Sequence, residues 1–168
     1  MAVHRSCNLL KPDQSNLPRV AVLIDAENLS HNYSADILAK VDLIYGRSSE
    51  IRVYGSKSAC KGWMKKLHPR CAKRKSPPET GKKKNRTDIM LIMDAMRMQH
   101  RDGFTHFWIA SSDADFVLLA HGIRKDKGKA TILAEKKAKK SLKGSGNDFV
   151  LLQPVATSAG KSARPKAA

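Results

Sequence analysis

The stretch R-V-A-V-L-I-D-A-E-N-L, from Arg19 to Leu29, decides the fold class of this chain. Its five consecutive apolar residues, Val20 to Ile24, are rich in β-branched side chains, which is typical of a strand buried on both faces of a parallel sheet. The apolar run ends in Asp25, and Glu27 and Asn28 follow closely. The sequence therefore poses the question of why a buried strand should end in a carboxylate.

Strand and helix patterns alternate along the rest of the chain. Apolar residues recur at helical spacing over 34–45, 61–67, 85–98 and 116–123, and strand-like apolar runs occupy 51–54, 104–110, 130–134 and 149–152. The segment 70–86 is basic and contains Pro77, Pro78 and Gly81, so it is predicted mainly as loop. This alternation predicts a three-layer α/β/α sandwich with a mostly parallel central sheet.

Length and composition indicate one folded domain. The 168 residues divide into an N-terminal extension over 1–18, a domain over 19–153 and a basic tail over 154–168, which we expect to be disordered. No apolar stretch approaches the roughly 20 residues that span a bilayer, and the N-terminus lacks the core of a signal peptide. The three cysteines are odd in number and widely spaced, which favours a reducing compartment, by default the cytoplasm.

The net charge of +17 is concentrated in two segments. Residues 61–86 contain eleven Lys or Arg against one acidic residue, and residues 124–143 contain nine against two. Between them, residues 87–123 contain five Asp against two Arg. Dense basic segments favour nucleic acid as a partner, because each neutralised phosphate releases counterions. A solubilising surface or a patch for anionic lipid is the alternative, although no amphipathic membrane helix is visible.

Four aspartates are predicted to meet at one edge of the sheet if the strands that precede Asp25 and Asp113 are neighbours. Asp25 ends the first strand, Asp113 and Asp115 follow the strand over 104–110, and Asp88 lies at the start of a helix. Sites in such sheets form at the carboxyl ends of the strands, and crowded carboxylates require a positive partner. Oxygen-only ligands select Mg²⁺ or Mn²⁺, either of which can activate water for displacement at phosphorus. The four aspartates are therefore the predicted metal ligands and catalytic residues.

Each of these residues also has a structural alternative. Asp25 could cap a loop, Ser112 begins a capping-box pattern, and Asp113 could be a helix N-cap. Asp88 in a first helical turn would interact favourably with the helix dipole. Asn28 could position a water or a phosphate oxygen, or make an Asx-turn. The functional interpretation rests on the conjunction of four acidic groups at predicted sheet-edge positions.

Other patterns favour simpler explanations. Asp94 lies six residues after Asp88, about 240° round the helix, so a salt bridge to Arg97 is the expected role. A phosphate-binding P-loop around Gly81 is excluded, because positions 76 and 83 are Ser and Lys. The six histidines show no H-x-x-x-H spacing, which argues against a histidine metal site.

Three motifs in the same order resemble those of the NYN domain: V-L-I-D-A-E-N-L, then N-R-T-D-I-M-L-I-M-D-A-M, then F-W-I-A-S-S-D-A-D-F-V-L-L. The later K-A-T-I-L-A-E and S-L-K-G-S-G-N-D-F-V-L-L extend the resemblance to about residues 19–152. NYN domains belong to the PIN-like nuclease superfamily, whose members typically cleave RNA with Mg²⁺ or Mn²⁺ bound by clustered aspartates. The resemblance implies a PIN-like fold, metal-site roles for the four aspartates, and Asn28 and Ser112 as supporting polar groups.

The resulting hypothesis is that the protein is a metal-dependent ribonuclease, with internal cleavage of RNA assumed. The phosphates of RNA, with DNA as an open alternative, would be bound by basic residues around the site: Lys82, Lys83, Lys84, Arg86, Lys136, Lys137, Lys139 and Lys140. The alternative is a non-catalytic RNA- or DNA-binding module with a vestigial acidic site. No membrane partner is expected, and the methionine-rich helix over 89–98 leaves a homodimer open.

Overall fold

The computed structural model describes residues 18–45, 49–67, 72–78 and 85–154. In this part of the chain, strands and helices alternate as the sequence predicts. The strands are β1 (Val20–Asp25), β2 (Ser49–Tyr54), β3 (Lys73–Lys75), β4 (His106–Ala110), β5 (Lys129–Ala134) and β6 (Asp148–Leu151). The helices are α1 (Ser34–Tyr45), α2 (Lys57–Leu67), α3 (Arg86–His100), α4 (Val117–Lys125) and α5 (Lys140–Lys143), with 3₁₀ turns at His31–Tyr33 and Ala114–Phe116.

The six strands form one parallel sheet in the order β3-β2-β1-β4-β5-β6. The chain begins in the middle of the sheet, winds outward to β3, and then returns to the other side of β1. The order of the strands therefore reverses between β1 and β4. At such a switch point the two following loops diverge and leave a crevice outside the carboxyl ends of the strands. Asp25 lies at this crevice, as the last residue of β1.

Helices cover both faces of the sheet, which confirms the predicted three-layer α/β/α sandwich. Every residue of β1 is buried. Val22 and Ile24 pack in one core with residues of α1 and α2, whereas Leu23 packs in a second core with residues of α3 and α4. A central strand with a helix layer on each side has no solvent face, which explains why Val20–Ile24 is continuously apolar.

Two short elements were not predicted from the sequence. Residues 70–86 were expected to be mainly loop, but Lys73–Lys75 forms the edge strand β3. Its three cationic residues give no apolar signal, because one side of an edge strand is open to solvent. The four-residue helix α5 also had no predicted counterpart. The termini and the segments 46–48, 68–71 and 79–84 lie outside the described residues.

A buried ion-pair network connects α3 to β2. The Asp94 carboxylate accepts hydrogen bonds from Arg52 Nη1 at 2.8 Å and from the Tyr54 hydroxyl at 3.1 Å. Lys75 and Arg97 lie farther from it, at 3.6 and 3.4 Å. Burial alone would raise the pKa of Asp94, but the hydrogen bond from Arg52 and the nearby positive charges lower it below its usual range. The expected contact with Arg97 exists, but Arg52 is the closer partner.

Among the described residues, no helix combines the length and the apolar character needed to cross a bilayer.

Candidate metal and nucleic-acid site

Asp25 is fully buried at the end of β1 and is fixed by four hydrogen bonds. Its Oδ2 accepts from Ser111 Oγ at 2.7 Å and from Asn28 Nδ2 at 2.8 Å, and its Oδ1 accepts from the backbone amides of Glu27 and Asn28 at 3.1 and 3.3 Å. Asp25 therefore does cap the loop after β1. Burial nevertheless raises the pKa of this carboxyl above its usual value, against the opposing effect of the hydrogen bonds. A carboxylate has about four acceptor sites, so direct coordination of a cation by Asp25 requires one of these donors to give way.

Ser111 connects Asp25 to the loop that contains Asp113. The Ser111 hydroxyl, buried directly after β4, donates to Asp25 and accepts from the Asp113 backbone amide at 3.0 Å. Asp113 Oδ1 accepts from the Asp115 amide at 3.0 Å, so Asp113 is the N-cap of the 3₁₀ turn before α4. Asp113 Oδ2 lies 3.5 Å from Asn28 Nδ2. The Asn28 amide thus lies between the carboxylates of Asp25 and Asp113.

Asp88, in the first turn of α3, faces the same cluster. Burial raises its pKa, and so do nearby negative charges, in decreasing order those of Asp25, Asp113, Asp115 and Glu27. Charges perturb a pKa in this way only at close range, so Asp25, Asp113 and Asp115 lie within electrostatic reach of Asp88. Glu27 is a fifth acidic group in the cluster, and its Oε1 accepts from the Ser56 amide at 2.7 Å.

The cluster is not a finished coordination shell. Within the described ranges, no three acidic, His or Cys side chains surround a common point at metal-binding distance. Of the acidic groups, Glu27 and Asp88 line a cavity of about 410 Å³ between the loops after β1 and β2 and the start of α3. The roles of the four aspartates as metal ligands therefore stay predictions, supported by their grouping.

The Ser112 hydroxyl contacts Glu135. This hydroxyl lies 3.3 Å from both the Glu135 Oε2 and the Glu135 backbone amide, so it connects the loop after β4 to the loop after β5. Glu135 also accepts from the Tyr33 hydroxyl at 2.9 Å and pairs with Lys137 at 2.9 Å. Ser111, the neighbour of Ser112, provides the hydroxyl that contacts Asp25. Glu135 could have been found by the signal that singled out Asp25, because it too is a carboxylate directly after a buried strand.

The predicted phosphate-binding residues lie in three places. Arg86 is the first residue of α3, and its guanidinium donates to the Pro78 carbonyl. Four lysines are exposed just after β5, at the same edge of the sheet as the aspartates: Lys136, Lys137, Lys139 and Lys140. Lys82, Lys83 and Lys84 lie outside the described residues.

A family model for the NYN domain matches residues 19–153, most of the chain. The chain belongs to the NYN domain family. Members of this PIN-like family are generally nucleases. The NYN fold is also similar to the crystal structure of a protein of unknown function from Vibrio parahaemolyticus, with a TM-score of 0.65 and 16% sequence identity. That similarity covers 83% of this chain and 96% of the other, and at this identity it supports the fold alone. No curated protein matches the sequence.

Asp88→Asn is expected to stabilise this NYN domain when no divalent cation is bound. Because the folded-state pKa of Asp88 is raised, its contribution to stability is present below the unfolded pKa and is lost as pH rises through the folded pKa. At neutral pH its charge is therefore unfavourable, since burial and several neighbouring charges outweigh the half charge of the helix dipole. After solvent screening, the gain is at most about 1 kcal/mol, a rise of a few degrees in Tm.

Scanning calorimetry in EDTA at neutral pH measures this effect. Asp148→Asn is the matched control, because Asp148 is exposed at the start of β6, the opposite edge of the sheet. Its Tm should not change. A Tm for Asp88→Asn equal to or below that of the wild type would contradict the repulsion inferred from the cluster. Added Mn²⁺ should then raise the Tm of the wild type more than that of Asp88→Asn, because a cation that binds only the folded state stabilises it.

Proposed function

We propose that this NYN domain is a metal-dependent ribonuclease that hydrolyses RNA phosphodiester bonds at Asp25, Asp88, Asp113 and Asp115. The observation that supports it best is geometric: Ser111 and Asn28 each connect Asp25 to Asp113. Burial and the charges of this cluster also raise the pKa of Asp88. Four like charges gathered at the switch point of a parallel sheet cost stability, and a fold tolerates such a cost where function requires it.

The donor set fits a hard divalent cation. Its members offer carboxylate oxygens, which suit Mg²⁺ or Mn²⁺. Four residues would bind it: Asp25 and Asp113, at the carboxyl ends of β1 and β4, and Asp88 and Asp115, in helical turns. A cation bound there supplies Lewis-acid stabilisation of charge at phosphorus and lowers the pKa of a water molecule.

The remaining groups position the carboxylates and the substrate. Ser111 fixes the orientation of the Asp25 carboxylate, and the Asn28 amide spans Asp25 and Asp113. An acidic cluster by itself repels a phosphodiester. Arg86 and the lysines after β5 lie at the same edge and counter that repulsion, which draws the anionic backbone to the cluster.

Incubation with labelled RNA and DNA is the direct test. Linear RNA, circular RNA and single-stranded DNA are each incubated with Mg²⁺, with Mn²⁺ and with EDTA. We expect RNA cleavage that requires either cation and stops in EDTA. Linear products from the circular RNA identify internal cleavage, because a closed circle has no end for an exonuclease. Absence of cleavage with every cation, or cleavage that persists in EDTA, would contradict the proposal.

A non-catalytic binding module is the second candidate, and the hydrogen bonding of the cluster favours it. Asp25 is fully hydrogen-bonded within the protein, and Asp113 already serves as an N-cap. Under this alternative, affinity for RNA or DNA falls steeply with salt and does not respond to Mn²⁺. The same nucleic acids then remain intact in every incubation.

A further inference from the structure

One face of α3 combines exposed apolar side chains with arginines at both ends. Arg86, Ile89, Met93 and Arg97 follow one another at spacings of three and four residues, which places them on one side of the helix. Ile89 is 54% exposed and Met93 is 58% exposed. From Arg86 to Arg97 this stripe is about 16 Å long.

The stripe forms one wall of a groove, which we call the α3 groove. Its opposite wall is Pro77 and Pro78, and its volume is about 360 Å³. A second cavity of about 310 Å³ shares both prolines and Arg86 with the groove. That cavity also shares Glu27 and Arg86 with the cavity beside Asp88. Three adjoining cavities therefore follow one another from Asp88 and Glu27, round the start of α3, to the outer face of the helix.

A second copy of the chain is a poor occupant for this groove. Stable protein interfaces bury about 1,200–2,000 Å², and the stripe offers two exposed apolar side chains. A symmetric contact would also bring Arg86 and Arg97 of two copies together, in a chain of net charge +17. The charge and the small apolar centre instead suit a flexible polyanion that has apolar faces of its own.

We propose that the α3 groove binds the bases of a single-stranded nucleic acid whose phosphodiester lies at the acidic cluster; this rests on the function proposed above. Unpaired bases expose flat apolar faces that can pack on Met93, Ile89 and the prolines, whereas a duplex buries those faces by stacking. Arg86 and Arg97 provide guanidinium groups for the backbone phosphates. Arg97 contacts Asp94 through one nitrogen at 3.4 Å, and a guanidinium has five N–H donors in all.

Met93→Gln tests the groove, with Ile89→Gln as a second variant. Glutamine keeps the helix propensity and removes the apolar contact. Leu43→Gln is the matched control, because Leu43 is 85% exposed near the end of α1. Helices α1 and α3 cover opposite faces of the sheet. Binding of fluorescein-labelled single-stranded RNA, from about 4 to about 20 nucleotides long, is measured by fluorescence anisotropy in EDTA, and so is binding of an RNA duplex.

We expect each α3 variant to lose affinity for the longer single strands by roughly three- to tenfold. Affinity for the shortest strand and for the duplex should stay at the wild-type level, and Leu43→Gln should bind like the wild type. Equal binding of long single strands by wild type and both α3 variants would overturn the proposal, as would an equal loss for the duplex. Dissociation of a wild-type dimer by Met93→Gln, seen by sedimentation velocity, would assign the stripe to self-association and overturn it too.

The test separates this proposal from the nuclease proposal. Binding in EDTA does not depend on cleavage, so a chain that never cuts RNA can still show the length-dependent loss. Conversely, metal-dependent cleavage combined with unchanged binding by Met93→Gln and Ile89→Gln would support the nuclease and reject the α3 groove.

Discussion

Asp25→Asn is expected to lower the rate of RNA cleavage by a factor of about one hundred or more, with RNA affinity nearly unchanged. Asparagine has the shape of aspartate but no charge, so it binds a divalent cation far less well. Affinity should persist because it depends on Arg86 and the lysines after β5, not on the acidic cluster. Loss of the buried charge removes a desolvation cost, although the asparagine NH₂ group cannot accept the two hydrogen bonds that one carboxylate oxygen receives. We therefore expect a folded variant with some loss of stability.

Single-turnover cleavage in Mg²⁺ or Mn²⁺ measures the rate, and fluorescence anisotropy in EDTA measures affinity. Circular dichroism reports whether the variant is folded. Asp148→Asn, at the opposite edge of the sheet, should cleave at the wild-type rate. If folded Asp25→Asn protein retains cleavage within a few-fold of the wild type, the proposed mechanism is wrong.

Asp94→Ala is expected to reduce the free energy of unfolding at neutral pH by about 2–4 kcal/mol. The substitution leaves the Arg52 guanidinium, whose side chain is 11% exposed, without its 2.8 Å partner and leaves the Tyr54 hydroxyl without an acceptor. Glu50 still accepts a hydrogen bond from Arg52 Nε at 2.7 Å. The loss of stability should therefore be smaller than if Arg52 had no acidic partner left.

Urea denaturation at neutral and acid pH tests both the size and the sign of this effect. The pKa of Asp94 is lowered in the folded state, so its contribution is present above the unfolded pKa and is lost as pH falls through the folded pKa. The difference in free energy of unfolding between the wild type and Asp94→Ala should therefore shrink at pH values well below 3.8, the ordinary pKa of an aspartate. Asp126→Ala, which breaks the exposed contact with His100 at 3.1 Å, is the control and should cost less than about 1 kcal/mol. An equal, small loss for both variants would contradict the role given to Asp94.

The central strand and its terminal carboxylate were predictable because their signals are local. A doubly covered strand must be apolar throughout, and in a parallel sheet the residue after it lies at the edge where sites form. The grouping of Asp25 with Asp113 was predicted on the condition that their strands are neighbours, and β1 does pair with β4. Asp88 was added because it opens a helix, but the pattern of strands did not place that helix beside the other aspartates.

Contacts between distant residues were not predictable in the same way. Arg52 interrupts an apolar pattern within β2, and its partner Asp94 lies 42 residues further along the chain. Nothing local distinguishes Ser111 from Ser112, because the turn of the backbone after β4 decides which hydroxyl reaches Asp25. The edge strand β3 has no apolar signal, because its side chains are cations. Lys73 pairs with Glu50 of β2, and Lys75 pairs with Asp94 of α3.

Calorimetric titration of Mn²⁺ into the protein without nucleic acid tests most directly whether the acidic cluster binds a divalent cation. The wild type should show saturable binding that disappears in the double variant Asp88→Asn/Asp113→Asn and is unchanged in Asp148→Asn. Absence of saturable binding to the wild type, or equal binding to the double variant, would contradict the account and leave a protein that binds polyanions without cutting them.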